Sequence, residues 1–118
     1  MQITVSDFGP EIKKIVLVGS LDIAGAQKIE LPMATVSGSK CDVIVDMVAV
    51  DFIASIGLRH LVLASRTVAR SSRKLVLLNP NVLVTELLVT AGLKDLLPIV
   101  RSEDEARALL LAPGNAPS

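Results

Sequence analysis

Apolar residues change their spacing several times along this chain, and each change predicts a new element. Ile3 and Val5, and then KIVLVGSL at 14–21, are spaced as strands, with the turn-forming run Phe8-Gly9-Pro10-Glu11 between them. Asp22 stands where a helix cap belongs, ahead of a helical run through Ile23, Ala24, Ala26, Gln27 and Ile29. Pro32 should end or bend that helix near Leu31, because it has no N–H to give and its ring crowds the preceding turn. Ser37-Gly38-Ser39-Lys40 reads as a turn, and CDVIVDM at 41–47 as a strand with Val43 and Val45 on one face.

Beyond Asp51-Phe52-Ile53-Ala54 the period becomes helical. Leu58, Leu61, Val62, Ser65, Val68 and Ala69 form one stripe, with Arg59, Arg66 and Arg70 away from it, which predicts a helix over 56–70. KLVLL at 74–78 is a short buried strand. Asn79-Pro80 breaks it and opens a helix with Leu83, Leu87, Leu88 and Ala91 inward and Gly92 as its stop. Residues 96–100 make a last strand, and Ser102-Glu103-Asp104-Glu105 starts a helix carrying Ala106, Leu109 and Leu110. The order β-β-α-β-α-β-α-β-α predicts an α/β fold: a mixed sheet of about five strands with about four helices mainly on one side. The domain should span 1–111, with 112–118 a disordered tail.

Composition narrows what such a fold can do. The chain has 118 residues, 51% of them hydrophobic and 20% charged, enough for one aliphatic core but not for two domains. Twelve basic residues balance twelve acidic ones, and Trp and Tyr are absent, so neither a steering field nor stacking platforms exist for nucleic acid. Cys41 is the only cysteine, which removes disulfides and cysteine-rich metal sites; at the head of an apolar strand it should be buried. No signal-like segment opens the chain and no apolar run is long enough to span a bilayer, so a cytoplasmic protein without membrane insertion is expected.

Catalytic material is sparse. No phosphate loop or nucleophile elbow occurs, and no motif implies a cofactor or a metal. His60 lies more than one helical turn beyond Ser55, which sets the two on different faces and argues against a hydrolytic triad and against an enzyme. Ser55 itself stands where strand pattern becomes helix pattern, and a serine there is a helix cap whose loss costs about 1 kcal/mol. The same position suits a phosphate, since a helix N-terminus offers unpaired N–H groups and a positive dipole end. Gly57 in the first turn costs roughly 1 kcal/mol relative to Ala unless close backbone approach is needed, and its small size leaves the hydroxyl reachable.

Three stretches carry a family resemblance: GSLDIAGA at 19–26, VIVDMVAVDFIASIGLRHL at 43–61 and NPNVLVTELLVTAGLKDLLPIVRSEDEARALL at 79–110. With these in this order the chain resembles a STAS domain of the bacterial anti-sigma-factor-antagonist type. The resemblance implies a non-enzymatic protein-binding module in transcription regulation by partner switching. Its partners would be an anti-sigma factor that is also a serine kinase, which phosphorylates the antagonist and ends the complex, and a serine phosphatase that resets it. It assigns the phosphoacceptor to Ser55 and a partner contact to Asp22, with Ile56, Gly57 and Arg59 alongside. Ala54-Ser55-Ile56-Gly57 departs from the Asp-Ser-Ser/Thr-Gly of switching members. Two other functions accompany the fold: a scaffold subunit that is never phosphorylated, and a cytosolic accessory subunit of a membrane lipid or anion transporter.

Overall fold

The computed structural model describes residues 1–111, and the expected tail at 112–118 lies outside the described residues. Five strands and four helices follow in the expected order: β1 (Gln2–Gly9), β2 (Ile12–Leu21), α1 (Ile23–Ser37), β3 (Asp42–Ile53), α2 (Ser55–Arg70), β4 (Leu75–Leu78), α3 (Val82–Thr90), β5 (Ile99–Val100) and α4 (Glu103–Leu111). The sheet keeps chain order, β1-β2-β3-β4-β5. Only β1 and β2, joined through Pro10 and Glu11, run antiparallel; every later neighbour is parallel.

That order dictates where the helices go. Each parallel crossover steps the same way across the sheet and each is right-handed, so α1, α2 and α3 fall on one face. Their inward residues, among them Ile29, Met33, Leu61, Val68, Val84 and Leu88, share one core with Ile15, Leu17, Val43, Val45 and Leu77. Full burial of each such side chain stabilises the fold by about 1.5–3 kcal/mol. Leu58 and Val62 pack partly buried against this core.

α4 alone crosses to the other face, where Ala106 and Leu110 cover Ile12, Ile44, Val76 and Val100. Ser102 Oγ caps it by accepting the Glu105 N–H at 3.1 Å, while Glu105 Oε1 reaches back to the N–H of Arg101 at 3.1 Å. Lys14 ties α4 to the sheet by donating to Glu103, with Asp46 Oδ2 at 3.7 Å. The hydrogen bond to Glu103 outweighs partial burial and raises the Lys14 pKa above its ordinary 10.5. A raised cation contributes fully below 10.5, and its contribution is lost as pH climbs through the folded value.

Five expectations are corrected. α1 does not stop at Pro32 but continues to Ser37, because Met33, Val36 and Ser37 extend the buried stripe begun by Ala26 and Ile29. β3 runs to Ile53, well past Met47. It carries extra residues against β2, whose Val16 and Val18 pair with Asp46 and Ala49, and whose Gly19 and Ser20 pair with Val50 and Phe52. These bulges place Met47, Val50 and Ile53 in the core at every third residue, which breaks strand alternation. In α3 the inward residues are Val84 and Leu88, and Leu83 is 52% exposed. Asn81 sets that phase, its Oδ1 accepting the Val84 N–H at 2.8 Å and its Nδ2 donating to the Val50 carbonyl at 3.1 Å. β5 is only two residues long, since Leu93 and Leu97 join in a turn at 2.8 Å. Cys41 precedes β3 and is half-buried instead of buried.

Pro32 inside α1 removes one helix hydrogen bond, a cost the buried stripe offsets. Pro32→Ala is expected to raise stability by about 1–2 kcal/mol in urea denaturation, after allowing for the looser unfolded chain. A loss of stability there would contradict the packing account of α1.

Candidate functional site

The parallel strands deliver every helix start to one edge of the sheet, the usual location of sites in α/β folds. Two of these starts are drawn together. The Ala54 N–H donates to the Leu21 carbonyl at 2.9 Å, which joins the end of β3 to the end of β2 and sets Asp22 beside the opening of α2. Glycine occupies the third position of both helices. A Cβ on Gly25 would stand 2.3 Å from the Ser20 carbonyl oxygen, and one on Gly57 would stand 2.7 Å from Leu21 Cγ and 2.9 Å from the Leu21 carbonyl oxygen. Only glycine permits both helices to press so closely on the end of β2.

Asp22 caps α1, its Oδ1 accepting the Gly25 N–H at 2.8 Å. α2 is different. Its N-cap is Ala54, which supplies no side-chain bond, so Ser55 is the first residue of the helix and not the cap expected of it. The Ser55 side chain is exposed and has no hydrogen-bond partner among the described residues. The first intrahelical bond comes from the Leu58 N–H to the Ala54 carbonyl at 3.1 Å, so the N–H groups of Ser55, Ile56 and Gly57 remain the unpaired donors of the first turn. No acidic residue lies in that turn. Ser20 Oγ donates to Asp51 Oδ1 at 2.7 Å, which holds that carboxylate against β2.

The residues named from the sequence divide in two. Asp22, Ser55 and Arg59 are exposed and Ile56 is half-buried at this end. Gly57 is buried beneath them, so it sets the height of the face without adding surface to it. His60 turns into the groove between α1 and α2 and has no hydrogen bond to Ser55. Sequence reasoning missed an apolar contribution: Ile23 at 69%, Phe52 at 46% and Val82 at 74% exposure stand at the strand ends and helix starts of this edge. Phe52 carried a usable signal as one of two aromatic residues in the chain, but only the bulged register turns it outward.

Among the described residues no cluster of three or more His, Cys, Asp or Glu is arranged to hold a metal ion. No helix among them is long and apolar enough to cross a membrane.

Residues 7–106 match the STAS domain, and the chain belongs to that family. The fold is similar to that of the anti-sigma factor antagonist SpoIIAA in its unphosphorylated form, at TM-score 0.76 and 21% identity over 92% of this chain and 95% of that one. It is also similar to the phosphorylated form of the Bacillus cell fate determinant SpoIIAA, at TM-score 0.71 and 20% identity, covering 92% and 98% of the two chains. An anti-sigma factor antagonist from Mycobacterium paratuberculosis superposes at TM-score 0.82 with 18% identity, covering 92% of each chain. No curated protein matches the sequence.

Two substitutions separate packing from capping at this edge. Gly57→Ala is expected to lose about 1–2 kcal/mol although alanine favours helix, because the new methyl meets the Leu21 backbone. Ser55→Ala is expected to stay within about 0.5 kcal/mol of wild type, since no cap bond is removed. A loss near 1 kcal/mol for Ser55→Ala in denaturant titrations would restore the capping role.

Proposed function

We propose that this chain is a regulatory protein-binding module of the anti-sigma-factor-antagonist type, switched by phosphorylation of Ser55. The observation that carries the reading is the Ser55 hydroxyl: exposed, unpartnered and first in a helix whose initial N–H groups are unbonded. A phosphate there is held by those donors and by the positive end of the helix, so it leaves the fold in place. Arg59, one turn further along the same helix, adds a cation at the spacing of a side-chain pair. Nearly two negative charges beside Phe52, Ile23 and Val82 then penalise any partner that would bury that apolar surface, because the charge would have to be desolvated.

In this reading the unmodified Ser55 face binds an anti-sigma factor that is also a serine kinase. Phosphate transfer ends the complex and a serine phosphatase restores it. The module itself carries out no catalysis and acts in the cytoplasm. Asp22, Ile56 and Arg59 contact the partner, and Gly57 supports them from below. The likeness to SpoIIAA, solved in both unphosphorylated and phosphorylated forms, supports the class. Ala54 and Ile56, which replace the acid and the second hydroxyl of switching members, favour the scaffold reading instead and make Ser55 chemistry the point to test.

Incubation with the cognate kinase and ATP is expected to place phosphate on Ser55 by peptide mapping. Ser55→Asp should stay folded and bind the partner at least about tenfold more weakly, or about 1.4 kcal/mol. Phosphate absent from Ser55, together with wild-type binding by Ser55→Asp, would leave the unphosphorylated scaffold. Asp22→Asn keeps an N-cap oxygen and removes the charge, so it should weaken the complex while stability changes by only a few tenths of a kcal/mol. Unchanged binding in that variant would confine Asp22 to capping.

A further inference from the structure

Among the described residues the sheet has one long free edge. β1 is outermost and pairs only with β2 over eight residues, whereas β5 on the opposite edge has two. An outermost strand presents a row of unpaired N–H and C=O groups, which folds usually guard with lysine, proline, a bulge or brevity. Residues 2–6 have none of these guards. They carry no charge and no proline, and the first irregularity against β2 falls between Asp7 and Gly9. Gln2, Thr4 and Ser6 are exposed, Val5 is 41% exposed and Ile3 is half-buried. Asp7, the first charge, is held by Lys13 within the same chain.

The unguarded segment reads Gln-Ile-Thr-Val-Ser, a chemical palindrome about Thr4: polar, β-branched, Thr, β-branched, polar. Its two faces are already sorted by β2. Ile3 and Val5 lie opposite the core residues Leu17 and Ile15, which sets both on the α1 side of the sheet. Gln2, Thr4 and Ser6 lie opposite Val18, Val16 and Lys14, which sets them on the other side. Reversed end to end, such a strand matches itself on both faces.

We propose that β1 pairs with β1 of a second copy of this chain, antiparallel about a twofold axis at Thr4, which joins two five-stranded sheets into one. Thr4 then faces Thr4, Ile3 faces Val5 and Gln2 faces Ser6 across the junction, like against like. Moving the axis to Val5 would set Asp7 against Ile3, and moving it to Ile3 would set Val5 against Met1, which lies outside β1. A twofold interface requires a surface that matches itself, and this property selects a second copy over an unrelated extended peptide at the same edge. A pairing of five residues is small, so a dissociation constant of about 0.1 mM is expected. The two Ser55 edges point to opposite ends of the joined sheet, and both stay open. The inference stands independently of phosphorylation at Ser55.

Sedimentation equilibrium from about 10 µM to about 1 mM is expected to show a monomer passing into a dimer, with concentration-dependent amide shifts centred on residues 2–6. Thr4→Lys and Thr4→Glu each oppose two like charges across the axis from an exposed position, and each is expected to weaken association about fivefold or more. An equimolar mixture of the two variants opposes unlike charges and is expected to restore it. Register is read by cross-linking with the native thiol replaced, Cys41→Ser. In that background Thr4→Cys is expected to form a disulfide-linked dimer on mild oxidation, since directly opposed residues stand about 4.5–5.5 Å apart at Cα. Gln2→Cys is expected not to, its counterpart lying about 13 Å away along the strands. A chain that stays monomeric throughout, shifts centred on other residues, undiminished association of either charge variant alone, a mixture that fails to associate, or equal cross-linking at the two positions would each overturn the proposal. Ser55→Asp is expected to self-associate as the wild type does, so failure of the switch and failure of the dimer are read separately.

Discussion

The close approach of two helices to the end of β2 is the constraint from which the functional edge follows. Gly25 and Gly57, each third in its helix, leave room for the Ser20 and Leu21 backbone where any side chain would collide. The Ala54 N–H bond to Leu21 then fixes the entry to α2 at the same point. Two helix N-termini and their dipoles are thereby gathered at one place, with Asp22 at one and Ser55 at the other. Glycine lowers the helix propensity of both first turns by about 1 kcal/mol each, and the packing it allows offsets that cost.

The same arrangement separates the fold's stability from the proposed switch. Stability rests on the aliphatic core under α1, α2 and α3 and on the smaller cluster under α4, which the Lys14 bridge to Glu103 helps to hold on the opposite face. Ser55 contributes neither a cap bond nor buried area, so the hydroxyl is free to change chemically without loosening the structure. Asp22 lacks that freedom, since its carboxylate satisfies the first turn of α1. An uncapped serine at the first helical position, the proposed switch, and a structural cap on the neighbouring helix are thus two ways of treating the same unpaired N–H groups.

Much of this was legible in the residue pattern. Leu61 and Val68 at helical spacing, Val43 and Val45 at strand spacing, and the acidic start of α4 all lie where their periodicity put them, because local spacing and tertiary burial agree there. Legibility failed where tertiary contacts override local rules. Pro32 stays inside α1 because the helix is held by its buried stripe beyond that point. β3 could not be followed past Met47 because its bulges bury every third residue, a period that belongs to neither a helix nor a strand. The cap fell one residue early, on Ala54, because the bond to Leu21 ends the strand there and no side-chain bond is required. The apolar rim of Phe52, Ile23 and Val82 was hidden for a related reason, since apolar residues read from sequence default to the core.

The central claim is that charge at Ser55 alters a binding face without altering the fold that presents it. Amide hydrogen exchange on the Ser55-phosphorylated chain beside the unmodified chain tests it directly, since exchange in the central strands reports global stability. The account predicts changes limited to residues 21–25 and 54–59, with protection in β2, β3 and β4 unchanged. Loss of protection throughout those strands would show that the modification works by unfolding the domain, and would contradict it.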